Sequence, residues 1–427
     1  MTVHTRPTSI FFILLLALPL TAQSDQSDRI TKLESALEQL VRQAEAIRKE
    51  LDEIKGTSSG DLTAVEALTP LTDVQPVENQ TVAPGASKAL NPDISVIGTM
   101  LGHAGSSNPF ETRSIFETEG EARSPLAFEE AEIAFEAFID PYAKGRFFIA
   151  IGAEGAELEE GYAQFVTLPK GFTAKAGKLK AQFGKANTWH THTRPWVDQP
   201  LMIQRFFSGE GLADTGISVS RSFDNPWGAF IEATGEVFSG DAEGVFERQA
   251  SNDLFYNTHL KFFRDLGENS NLEIGTSWAQ GTLATPEGTG GTNRFSGLDV
   301  TYRWKPLSRS IYNSFIGRVE ALANQRADSD RTLFGFYAAA DYQLSRRWFA
   351  GVRLDHADRG FVLGDALILP SARFSDRAIS ATVTFWPSEF SQLRAQLRRT
   401  SYGDVETVNE LLLQLQFAIG AHGAHTF

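Results

Sequence analysis

His190 and His192 stand two apart in Trp189-His190-Thr191-His192, which puts two imidazoles on one side of an extended segment, an arrangement able to ligate Zn²⁺. The competing reading is a pair of polar loop residues held by hydrogen bonds. His422 and His425 form a second pair close to Phe427, where a role of the chain end in assembly is the more economical reading. Glu130, Glu132 and Glu136 imitate an acid/base set, but their even spacing is what one wet face of a strand produces. The chain has no cysteine, so thiol catalysis, disulfides and Cys-ligated metals are excluded. No catalytic set and no cofactor are expected.

These residues lie in a chain that changes character near residue 91. From there to the end, apolar and polar residues alternate with period two. In Leu298-Asp299-Val300-Thr301-Tyr302-Arg303-Trp304 one face is Leu, Val, Tyr and Trp, and the other is Asp, Thr and Arg. Leu411, Leu413, Leu415, Phe417 and Ile419 likewise share one face. The polar face is too charged for a sandwich core, and no amphipathic helix after residue 91 supplies a covering layer. A closed barrel with a water-filled lumen and an apolar exterior accounts for both faces.

Sixteen such segments are expected, near 93–103, 127–139, 146–155, 161–168, 173–183, 214–223, 228–238, 253–264, 271–282, 294–304, 312–323, 332–344, 347–357, 377–387, 390–400 and 409–420. Tight connections such as Asp224-Asn225-Pro226-Trp227 alternate with long ones, the longest at 184–213. Short turns at one end and long loops at the other are the layout of outer-membrane barrels, and an even count returns both termini to one side. A last strand that ends on Phe427 is the expected assembly signal for the barrel-assembly machinery.

The first 90 residues are different. His4 and Arg6 precede the apolar run Ile10–Leu18, with the small residue Ala22 at the expected cut, so 1–22 reads as a cleaved secretory signal. From Ile30, apolar residues fall at Leu33, Leu37, Leu40, Ala44, Ile47, Leu51 and Ile54, in alternating steps of three and four. That heptad seam predicts a coiled coil over 29–55, and the widened face with Ala36 and Val41 favours three strands. Leu33, Leu37, Leu40, Ile47 and Leu51 are the expected trimerisation residues. Residues 56–90 gather Gly, Ser, Thr, Pro and Asn and read as a flexible linker, with the barrel at 91–427. Composition agrees: 42% hydrophobic residues are too few for a helical membrane protein and too many for disorder. A net charge of −14 without a basic stripe argues against nucleic acid as a partner.

Several stretches resemble a known family. Asn91-Pro92-Asp93-Ile94-Ser95-Val96-Ile97-Gly98, Lys175-Ala176-Gly177-Lys178, Phe183-Gly184-Lys185-Ala186-Asn187, His190-Thr191-His192, Trp196-Val197-Asp198-Gln199-Pro200-Leu201 and Asp214-Thr215-Gly216-Ile217 are similar to the phosphate-selective porin O/P-like superfamily. The closing Gly420-Ala421-His422-Gly423-Ala424-His425 resembles a branch often labelled zinc-regulated TonB-dependent outer-membrane receptor. The resemblance implies a sixteen-stranded, usually trimeric barrel for small solutes. A plugged TonB-dependent transporter needs about 22 strands and a separate plug domain, and residues 91–427 hold neither.

The expected fold is therefore an all-β, 16-stranded antiparallel transmembrane barrel preceded by a periplasmic α-helical coiled coil. The expected function is an outer-membrane homotrimeric porin for small hydrophilic solutes or ions, with outer-membrane lipid around it. A substrate-binding outer-membrane receptor or metal (zinc) uptake protein is the alternative. The 184–213 loop is the expected constriction, with Lys185, His190, His192, Arg194, Asp198 and Arg205 lining it. Strand parity places Lys178, Lys180, Glu130, Glu132, Arg303, Arg318, Arg353, Arg394 and Arg398 in the lumen. Inward charges of the two signs nearly balance, so parity alone names no preferred ion.

Overall fold

A computed structural model describes residues 92–105, 125–153, 155–207, 211–283, 291–327, 329–359, 375–403 and 406–420. In these the chain forms sixteen strands: β1 (Asp93–Gly105), β2 (Leu126–Asp140), β3 (Ala143–Gly152), β4 (Gly155–Phe165), β5 (Phe172–Lys180), β6 (Ala213–Phe223), β7 (Phe230–Phe238), β8 (Phe255–Gly267), β9 (Ser270–Thr282), β10 (Thr292–Trp304), β11 (Phe315–Arg326), β12 (Thr332–Ser345), β13 (Trp348–Asp358), β14 (Ser375–Ser388), β15 (Ser391–Tyr402) and β16 (Glu406–Gly420). Every strand pairs antiparallel with its sequence neighbours. The ring closes where β1 meets β16, from Ser95 opposite Gly420 to Gly105 opposite Glu410. Closure leaves no open edge, which a sheet in an apolar surround requires.

The two faces follow the alternation. Leu298, Val352, Leu354, Ile379, Leu393, Leu397, Leu413 and Ile419 are exposed on the outside, whereas Asp299, Thr301, Arg353, Asp355, Arg394, Gln396, Arg398 and Gln414 on the same strands are buried. A continuous apolar exterior over a polar interior is stable where the surrounding medium is itself apolar. Among the described residues no helix is long and apolar enough to cross a membrane. The turns after β2, β4, β6 and β8 are tight; Asp140 Oδ1, for instance, accepts from the Tyr142 and Ala143 N–H groups at 2.7 and 2.9 Å. β1 begins and β16 ends at the end of the barrel that carries these turns.

Fifteen of the strands lie close to the expected segments. The exception is β4, which begins at Gly155, six residues before the expected start. A bulge explains the difference: Phe148 pairs with Glu160 and Ile149 with Leu158, so Glu159 has no opposite residue. The extra residue interrupts the period and turns Glu159 and Glu160 to the same side. The long connection after β5 consequently spans 181–212.

A second difference concerns the inner face, which is not polar throughout. Phe238, Phe255, Phe295, Leu322, Leu333 and Ala357 point inward and are buried, all near the strand ends that lead into the longer loops. They form a seat for the 181–212 loop. The signal peptide 1–22, the coiled coil 29–55 with Leu33, Leu37, Leu40, Ile47 and Leu51, the linker 56–90, the pair His422 and His425, and Phe427 lie outside the described residues.

Candidate functional site

The loop between β5 and β6 enters the barrel and is fastened along its length. At its base the Asn187 side chain donates to the Ala181 and Leu212 carbonyls at 2.8 and 3.1 Å and accepts from the Leu212 N–H at 2.6 Å, tying the two stems together. Gly184 has φ of +58°, and a β-carbon there would fall 1.8 Å from Glu320 Oε1. Glycine is required because the Glu320 carboxylate closes on this turn, accepting from the Lys185 and Ala186 N–H groups at 3.3 and 3.1 Å.

Beyond the stem the loop carries its own apolar body. Trp196, Leu201, Met202 and Phe207 are fully buried, and Phe183 packs edge-on to Phe207 at 5.4 Å between ring centres. Trp196 meets Tyr337 of β12 at 5.4 Å, and a short helix α1 (Leu201–Phe206) lies against β12, β13 and β14. Packing of this density makes the segment a folded insert in the lumen.

Asp198 anchors the middle of the insert to an arginine row. Its carboxylate accepts from Arg353 at 2.9 Å, from Arg398 and from the Gln396 amide, and its main-chain oxygen accepts from Arg353 at 3.1 Å. Burial disfavours the Asp198 charge, but the two guanidinium groups outweigh it and hold the carboxyl below the usual aspartate range. Arg394 donates to the Arg194 carbonyl at 3.0 Å, Asp355 accepts from the Leu201 N–H at 3.1 Å, and Arg205 pairs with Asp376 at 2.7 Å.

The histidines face a different wall. A single 3-10 turn at Thr191–Thr193 replaces the expected extended segment, yet both rings reach the carboxylates of β2 and β4. His190 Nδ1 lies 2.6 Å from Glu159 Oε2 and 3.3 Å from Glu132 Oε2, and its Nε2 lies 2.9 Å from Glu160 Oε2. His192 Nδ1 lies 3.1 Å from the same Glu132 oxygen. Ionised carboxylates only accept, so hydrogen bonds at both nitrogens of His190 require both to carry protons. Burial opposes that charge, but Glu132, Glu159 and Glu160 outweigh it and hold the imidazole well above its ordinary pKa.

The remaining sequence-derived residues are dispersed. Lys185 pairs with Glu273 at 2.8 Å, and burial lowers its pKa despite that partner. Arg303 reaches Glu273 at 3.0 Å, and Arg318 pairs with Asp341. Lys180 Nζ lies 3.7 Å from Glu159. Lys178 pairs with Glu157 at 3.3 Å, where the pairing of β4 with β5 ends, and Glu130 is half-buried on β2. Glu159 and Glu160 escape a strict period-two reading because the bulge breaks it. Glu273 was open to such a reading, since Ile274 and Trp278 on β9 alternate with it.

No protein-family model matches the chain. It is 29% identical over 392 residues to an uncharacterized protein of Aquifex aeolicus (strain VF5), a match covering 81% of this chain and 82% of that one. Among solved structures it is similar to an anion-selective porin from Comamonas acidovorans, with a TM-score of 0.53 and 10% identity over 77% of this chain and 100% of that one. Pseudomonas putida OprB gives 0.52 at 8% identity over 78% and 95% of the two chains, and Salmonella typhi OmpF 0.51 at 9% over 77% and 98%. Residues 93–420 thus have the fold of porins: a closed barrel of sixteen antiparallel strands.

Proposed function

We propose that this protein is an outer-membrane porin through which small hydrophilic solutes or ions diffuse, with the 181–212 insert as its constriction. The observation that carries the reading is the pairing of a charged inner face and an apolar outer face in a closed ring that holds a folded loop inside. A sixteen-stranded barrel is wide enough for an aqueous channel, so something within it must set the limit on size. The inward arginines and carboxylates supply polar walls, and neither sign dominates enough to name an anion or a cation as the preferred species. The heptad seam at 29–55 supports a trimer held by a coiled coil on the periplasmic side, reached through the export signal at 1–22. Phe427 serves assembly. No catalysis is assigned.

Single-channel recording in planar bilayers tests this. The wild type is expected to give discrete conductance steps, and reversal potentials in salt gradients read its ion preference. Excision of 188–205 is expected to raise conductance and relax size exclusion; equal conductance before and after removes the loop from the argument. A second reading, a receptor or uptake protein for a metal ion, draws on the imidazoles of His190 and His192 against the β2 and β4 carboxylates.

A further inference from the structure

The insert meets the β2–β4 wall through an unusual set of groups. Glu132, Glu159 and His190 each present one donor atom, and the three atoms lie within 4.8 Å of one another with all three residues buried. Donors around one first-row divalent ion stand about 3.4 Å apart, given bond lengths of about 2.0–2.2 Å. The 3.3 Å from His190 Nδ1 to Glu132 Oε2 already meets that spacing, and the 2.6 Å contact to Glu159 has to open by less than an ångström. His192 stands outside that set, its Nδ1 3.1 Å from the same Glu132 oxygen, where it steadies the carboxylate.

Two further observations point to a ligand beyond the cluster itself. Glu132 is 1% exposed, and its Oε1 has no hydrogen-bond partner. A buried carboxylate oxygen without a partner is costly, and a cation beside it removes the cost. The outer nitrogen of His190 is already committed: Nε2–H donates to Glu160 at 2.9 Å, and the other Glu160 oxygen is held by the Lys180 N–H at 2.8 Å. A carboxylate behind the far ring nitrogen is the usual support of a metal-bound histidine, because it fixes the ring and leaves Nδ1 free to ligate. Binding of an ion at Nδ1 displaces the proton that His190 otherwise carries there, so no cationic imidazole remains beside the metal.

We propose that Glu132, Glu159 and His190 bind one first-row divalent metal ion, Zn²⁺ foremost, which fastens the 190–193 turn of the insert to the barrel wall. Imidazole with carboxylate selects such ions over Mg²⁺ and Ca²⁺, which take all-oxygen sites. The site stands whether or not the barrel conducts.

Calorimetric titration of ZnCl₂ into the chelator-stripped full-length protein in detergent micelles tests this. One saturable site per chain is expected, not displaced by excess Mg²⁺. Glu132→Gln and His190→Gln should each weaken it by more than about tenfold, and Glu160→Gln by about ten- to a hundredfold through the ring it supports. Gel mobility before and after heating verifies that each variant is folded. The double variant His422→Gln/His425→Gln should leave the isotherm of this site unchanged. A wild-type protein without saturable binding overturns the proposal, whatever the variants do. So does binding that persists in Glu132→Gln/His190→Gln and disappears in the His422/His425 variant. Conductance recorded in chelator reads the porin function separately, so either idea can fail alone.

Discussion

Replacing Asp198 by Ala removes the carboxylate that holds the middle of the insert to the arginine row. Arg353 is fully buried and keeps only Asp355, at 2.7 Å, with the Asp198 main-chain oxygen; Arg398 keeps Glu410 at 2.9 Å and Tyr402. Removing one partner of a buried ion pair costs about 3–5 kcal/mol. Because both arginines retain a second acidic partner, the lower figure applies, and at about 1.4 kcal/mol per decade this is roughly a hundredfold shift toward a released 194–199 segment. Chymotrypsin reads that release directly, since Trp196, two residues before the anchor, is fully buried while the segment is docked. Cleavage of the folded barrel after Trp196 should accelerate by up to that factor where opening and closing are fast relative to cutting. Single-channel traces should gain conductance and noise. The same carboxylate carries a pH signature. Its folded-state pKa is depressed, so its contribution is complete above the ordinary aspartate value and is lost only as pH falls through the lower folded value. Wild-type conductance is therefore expected to be insensitive, at this anchor, between about pH 7 and pH 4. An Asp198→Ala protein with wild-type resistance to chymotrypsin at Trp196 and wild-type conductance would refute the reasoning.

Asn187→Ala should loosen the stem, because three buried hydrogen bonds go at once and the Ala181 and Leu212 carbonyls lose a donor; a cost of about 1–3 kcal/mol should appear as a lower midpoint in heat-modifiable gel mobility. Gly177→Ala should impair assembly, since its φ of +144° disfavours a side chain and the added carbon would lie 2.1 Å from the Gly161 oxygen; the yield of folded barrel checks it. Deletion of Phe427, or Phe427→Asp, is expected to lower outer-membrane levels while export continues, which fractionation of cells would show. Leu37→Asp with Leu40→Asp places charge in the heptad seam and should weaken the trimer, with unchanged native-gel migration as the contrary result.

The strands were legible because one rule, alternation against an apolar surround, acts on every one of them. Glu159 shows where the rule ends: one extra residue in β4 hides the carboxylates at 159 and 160 from any period-two reading. The insert was legible as a long loop with His190, Asp198 and Arg205 in it, but its attachments were not. His190 meets Glu132 across 58 positions and Asp198 meets Arg353 across 155, separations at which local pattern carries no information. The apolar residues Trp196, Leu201, Met202 and Phe207 are plain in the sequence. Nothing local says that the barrel reserves Phe295 and Tyr337 to receive them.

The attachments of the insert also order events in time. The chain supplies residues 181–212 before it supplies β7 to β15, yet Glu236, Ser277, Glu320, Asp355, Asp376 and Gln396, which hold the insert, come from six of those later strands. Trp196 and Phe207 therefore reach their full packing only once those strands stand in the ring. A ring without β13 and β15 has no Arg353 or Arg398 for Asp198 and displays those aromatic rings, the kind of surface that chaperones retain and proteases attack. Docking of the insert is thus a late step that distinguishes a finished ring from an unfinished one.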